Sequence, residues 1–122
     1  MNPWIALAGF NGAMAIALAA YGAHGVDAAV APLMDRASQF QLIHAVALLS
    51  VGRLAGEGRK WATAAGVGMV LGVALFSGSL YFKAIWGALP VPMVTPAGGI
   101  SLILGWVLLV VASIGRARPS AI

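Results

Sequence analysis

Residues 61–81 read WATAAGVGMVLGVALFSGSLY, a run without one charged side chain. Arg59-Lys60 precede it and Phe82-Lys83 follow it. A helix rises about 1.5 Å per residue, so about twenty residues cross a hydrocarbon core of roughly 30 Å. This run has that length, with an aromatic residue at each end and cations just outside. Those are the boundaries expected of a transmembrane helix.

Composition extends the reading to the whole chain. Hydrophobic residues make up 61% and charged residues 8% of the 122 positions, against about 25% charged in ordinary globular domains. Three acids and seven Lys/Arg cannot cover the surface of a soluble domain of this length, so lipid is the solvent that fits. The net charge of +4 does not point to nucleic acid, because the basic residues are scattered at the ends of apolar runs and form no dense patch. Cysteine is absent, which excludes disulfides, thiolate metal sites and a cysteine nucleophile.

The pattern predicts an all-α membrane protein, a four-transmembrane-helix bundle in one domain over residues 1–122, with helices near 3–23, 35–55, 60–83 and 95–115. The first begins at Asn2-Pro3, where Asn caps free N–H groups and Pro suits the first helical position. Trp4 and Tyr21 mark its ends as interface anchors. Thr95-Pro96 predicts the same start for the fourth helix. The second span is the least apolar, since it includes Ser38, Gln39, Gln41, His44 and Arg53; a full span with a polar outer end is favoured over a re-entrant segment. The first helix is expected to be retained rather than cleaved, because no Lys or Arg precedes Arg36.

Orientation follows from Lys/Arg in the short loops. Arg53, Arg59, Lys60, Arg116 and Arg118 fall on one side, Arg36 and Lys83 on the other. Both termini are therefore expected in the cytoplasm. Small residues inside the spans permit close helix contact. Gly9, Ala13 and Ala17 form one stripe and Gly68 with Gly72 another. Such stripes serve contacts within one bundle, the favoured reading, or a homo-oligomer interface.

Several segments carry a resemblance. Ala20-Tyr21-Gly22-Ala23-His24-Gly25 is similar to the Gly-Ala-Phe-Gly-Ala-His-Gly signature of a membrane family known as domain of unknown function 423, whose eukaryotic relatives are called transmembrane protein 256. Phe40 to Ala45, with His44-Ala45, resembles its second motif. Leu75 to Tyr81 resembles its third, and Thr95 to Gly99 with Gly105-Trp106 its fourth. Tyr21 stands where the family has Phe. The matches occur in order along nearly the whole chain. They imply a small bacterial inner-membrane protein of four helices, and no reaction.

On the predicted topology most of these segments share the extracytoplasmic side. A polar cluster of His24, Gln41, His44, Ser77, Ser79, Tyr81, Lys83 and Thr95 is expected there, because polar groups in lipid turn toward one another. Gln41 and His44 share a helix face with Ala37 and Leu48. His44 reads either as a structural histidine bonded across helices, the favoured reading, or as a proton relay or ligand contact. His24 reads as a capping residue at a helix C-terminus, Lys83 as a snorkelling cation near the fourth helix. No catalytic set, metal motif or cofactor site is expected. The favoured function is a non-catalytic component in the lipid bilayer that binds a lipid, a small hydrophobic ligand or a partner protein. The alternative is a small-solute or proton-linked transporter using His24 and His44.

Overall fold

The computed structural model describes residues 1–114. It contains four helices: α1 (Pro3–His24), α2 (Ala31–Gly56), α3 (Lys60–Trp86) and α4 (Val94–Ile114). Arg116 and Arg118, and the end of the expected fourth helix at residue 115, lie outside the described residues.

Local chemistry sets each start. The Asn2 carboxamide oxygen accepts from the N–H groups of Trp4 (3.0 Å) and Ile5 (3.3 Å), with Pro3 in the first turn of α1. The Asn2 side-chain N–H also donates to the Gly52 carbonyl at 3.3 Å, so one residue caps α1 and fastens it to the end of α2. Before α2, the Asp27 carboxylate accepts from Ala29 N–H at 2.9 Å, and the Asp27 carbonyl accepts from Val30 and Ala31. That turn lets α2 begin at Ala31, four residues ahead of expectation, with Pro32 in its first turn. Between α2 and α3 the chain reverses through residues 57–59, where Gly58 takes a positive φ of 82° that L side chains rarely adopt. So short a connection makes α2 and α3 antiparallel neighbours.

Thr95 does not cap α4. The helix begins one residue earlier, and its first turn closes on the Met93 carbonyl, which accepts from Ala97 N–H at 3.1 Å. The Thr95 hydroxyl is engaged by Ser79 of α3 instead.

α2 and α3 pack on each other, α1 packs on α2, and α4 packs on α3. The shared core holds Ala8, Ala47, Leu48, Val51 and Met69, with Trp4 and Leu109 against it. Trp4 is thus more than an interface anchor: its ring lies over Gly66, where a Cβ would come within 2.6 Å of it.

The small-residue stripes part ways. Gly68 and Gly72 face α4: an added Cβ at Gly68 would sit 3.3 Å from Gly105 Cα, and one at Gly72 would meet Leu102. The Ser101 hydroxyl donates across the same contact to the Gly68 carbonyl at 2.8 Å. Gly98 is tighter still, since a Cβ there would collide with the Phe76 backbone. On α1, by contrast, Gly9, Ala13 and Ala17 are not among the buried residues. The face of α1 that meets α2 is instead Ala8, Ala15 and Gly22, with Gly12 opposite Ala45. The expectation of a Gly9-Ala13-Ala17 contact inside the bundle is corrected accordingly.

Three helices, α1, α3 and α4, are long and apolar enough to cross a membrane. α2 is not among them, and its accessibility pattern explains why. Ser38, Gln41 and His44 are buried, whereas Leu42, Ile43, Val46 and Leu49 point outward. Ser38, Gln41 and His44 on the inward face and the exposed Asp35, Arg36, Gln39 and Arg53 together lower its average hydropathy, although the middle of its outer surface is oily.

Candidate functional site: polar pairs and a groove beside α1

α2 brings the buried polar groups together from the inside. Gln41 is 3% exposed and bonded on both ends. Its amide N–H donates to the Asn11 side-chain oxygen of α1 at 3.1 Å, and its oxygen accepts from the Tyr81 hydroxyl of α3 at 2.7 Å. Asn11 in turn donates to the Leu7 carbonyl at 2.9 Å. A chain of hydrogen bonds therefore links α1, α2 and α3 where unpaired polar groups would be costly.

His44 forms a second, separate unit. An indole N–H can only donate, so the 2.9 Å contact from Trp106 Nε1 makes His44 Nε2 the acceptor. The ring proton then resides on Nδ1, which donates to the Phe40 carbonyl at 2.6 Å. Both nitrogens are satisfied in one neutral tautomer. Phe40 stacks beside the imidazole at 6.3 Å between centroids and itself packs on Phe76 of α3 at 4.7 Å, while Trp106 of α4 meets the imidazole edge-on at 5.7 Å. A third unit joins α3 to α4: the Ser79 hydroxyl donates to the Phe76 carbonyl at 2.9 Å and accepts from Thr95 at 2.5 Å.

The expected cluster is thus divided. Gln41 and Tyr81 meet, Ser79 and Thr95 meet, and His44 finds a partner on α4. His24 is exposed in the last turn of α1 and joins none of these groups. Lys83 lies half-buried in the last turn of α3, without an ion pair among the described residues. Asn11 and Trp106 complete the first two units, and neither stood among the candidate residues. Asn11 carried a readable signal, as an amide inside an apolar span. Trp106 read only as part of a motif.

Beside the Gln41 network a groove of about 290 Å³ separates α1 from α3. Asn11, Gln41, Ser77 and Tyr81 supply its polar wall, and Phe10, Met14, Val70 and Val73 much of its apolar wall. Ser77 is 1% exposed and its hydroxyl has no hydrogen-bond partner. A buried unpaired hydroxyl costs about 1–3 kcal/mol, which a bound polar group would recover. On the other flank, Leu42, Ile43, Val46, Trp106 and Leu109 line a shallow apolar groove of about 520 Å³ between α2 and α4.

The acids take no part in these sites. Asp27 lies in the α1–α2 turn, Asp35 is exposed, and Glu57 pairs with Arg53 and Arg59 at 3.7 Å. Among the described residues no group of three or more His, Asp or Glu side chains comes together to hold a metal.

Apolar helices with inward polar pairs define the class: a small helical membrane protein. The chain belongs to the family described as protein of unknown function (DUF423), whose model matches residues 18–99. It is 33% identical over 118 residues to a UPF0382 membrane protein of Staphylococcus epidermidis, covering 93% of this chain and 97% of the relative. The UPF0382 membrane protein YwdK of Bacillus subtilis is 33% identical over 120 residues, covering 93% and 98%. A UPF0382 membrane protein of Haemophilus influenzae is 31% identical over 116 residues, covering 92% and 94%. No solved structure matches the chain.

Proposed function

We propose that this protein is a four-span bundle of the bacterial inner membrane, with both termini in the cytoplasm, and that it acts by non-catalytic binding within the bilayer. The outward face of α2 supports the fourth span. Phe40, Leu42, Ile43, Val46 and Leu49 make the middle of that face, between exposed Asp35, Arg36 and Gln39 at one end and Arg53 at the other, an arrangement that suits lipid and is costly in water. Arg53, Arg59 and Lys60 at the α2–α3 end support the orientation.

The observation that carries the binding reading is the groove between α1 and α3, open at the side and backed by a fixed, neutral hydrogen-bond network. Catalysis finds no base or nucleophile activated there. The transport alternative rested on His24 and His44. His24 lies on the surface, and His44 has both nitrogens committed to partners, so no observation favours a relay.

Two experiments test the proposal. Reporter fusions at both ends should report the cytoplasm, and termini on opposite sides would remove the fourth span. Native mass spectrometry of the detergent-extracted protein should find a co-purifying lipid, small molecule or partner. A clean monomer with nothing bound would overturn the binding role.

A further inference from the structure

The groove between α1 and α3 also constrains what it holds. We infer that its occupant is a slender, uncharged, single-chain lipid-soluble molecule ending in a hydroxyl, such as a long-chain alcohol or the hydroxyl end of a monoglyceride. This rests on the binding reading above and narrows it to one site and one head-group chemistry.

Size comes first. About 290 Å³ lies at the lower edge of ordinary ligand sites, so a single chain fits and a phospholipid with two chains does not. Charge comes second. The wall offers no Lys, Arg, His, Asp or Glu, and a carboxylate, phosphate or ammonium there would be buried without a counter-ion. Hydrogen-bond direction comes third. Tyr81 spends its one O–H on Gln41, so its oxygen can only accept from a ligand. Ser77, one turn earlier on the same face of α3, has a hydroxyl free to donate. A ligand hydroxyl can give a proton to one and accept from the other. A ketone or ester can do only the second.

The test uses the full chain in phosphatidylcholine nanodiscs with a diazirine-bearing analogue of 1-dodecanol. After irradiation, labelled positions are mapped by mass spectrometry. Label is expected within residues 7–14 and 70–81, with competition by 1-dodecanol about tenfold or more stronger than by dodecanoate or dodecyltrimethylammonium. Gly78→Leu should abolish this label, because Gly78 lines the groove and open space surrounds its Cβ position. That substitution fills the site without pushing on a neighbour, and an unchanged circular dichroism spectrum would establish that the fold is kept. Ser77→Ala should weaken labelling about three- to tenfold.

Label spread over the outward faces and insensitive to Gly78→Leu would overturn the site. Equal competition by dodecanoate would overturn the uncharged head group. Failure of the alcohol probe while native mass spectrometry still finds a phospholipid or partner would sink this inference and leave the broader reading standing. Failure of both would remove both.

Discussion

α3 meets α4 and α1 in opposite ways. Toward α4 it presents Gly68, Gly72 and the Phe76 backbone, and Gly98 and Gly105 come so close that a single added carbon has no room. Toward α1 it makes a close contact, the Trp4 ring on Gly66, and beyond it leaves a groove crossed by side chains and held through Gln41. Without a hydrophobic effect between helix and lipid, close backbone contact is the main source of cohesion. The α3–α4 pair therefore reads as the rigid part of the molecule. The α1 side gives up some of that contact and gains a space.

The largest expected effect tests the rigid half. Gly98→Leu should destabilise by roughly 3 kcal/mol, the upper end for overpacking, because the new side chain meets backbone that cannot step aside. Gly9→Leu on the outward face of α1 should stay within about 0.5 kcal/mol. Unfolding in mixed micelles would measure both, and equal losses would break the contrast between the two glycines. Next in size is His44→Leu, which strands the Trp106 N–H and should cost about 1–2 kcal/mol. Adding Trp106→Phe should recover part of that loss; a double mutant no better than the single would deny the pair.

Smaller effects sharpen the α1 side. Asn2→Ala removes both the cap of α1 and its bond to Gly52, for about 1 kcal/mol, and amide exchange at Trp4 and Ile5 should rise. Tyr81→Phe loses one interhelical bond, for about 0.6 kcal/mol. A loss above that of His44→Leu would mean that the Gln41 network holds α3 more firmly than the open groove beside it suggests.

Much of the fold was legible from composition and run length. The apolar runs, the Asn2-Pro3 start and the family motifs required only local information. The inward side of α1 did not follow in the same way. The stripe Gly9-Ala13-Ala17 and the buried set Ala8, Ala15, Gly22 lie on nearly opposite faces of one helix, about 160° apart at about 100° per residue, yet both are small and apolar. Ala45 and Met34, on a different helix, decide between them. Partnership was hidden for the same reason. Gln41 stands thirty residues from Asn11 and forty from Tyr81, and no helical period connects them. Thr95 failed as a cap because a hydroxyl that fits a helix start also fits a serine across the interface.

The buried polar groups of α2 bear on how the chain enters the membrane during synthesis. Alone in lipid, α2 would turn Gln41 and His44 toward acyl chains with no neighbour to receive them, a substantial penalty for each group. Gln41 needs Tyr81, and His44 needs Trp106, both made later on the ribosome. On the four-span reading, α2 therefore waits for α3 and α4. The turn at residues 57–59 is short enough for α2 and α3 to insert as a hairpin, and a nascent chain released before α3 emerges should leave α2 outside the bilayer core.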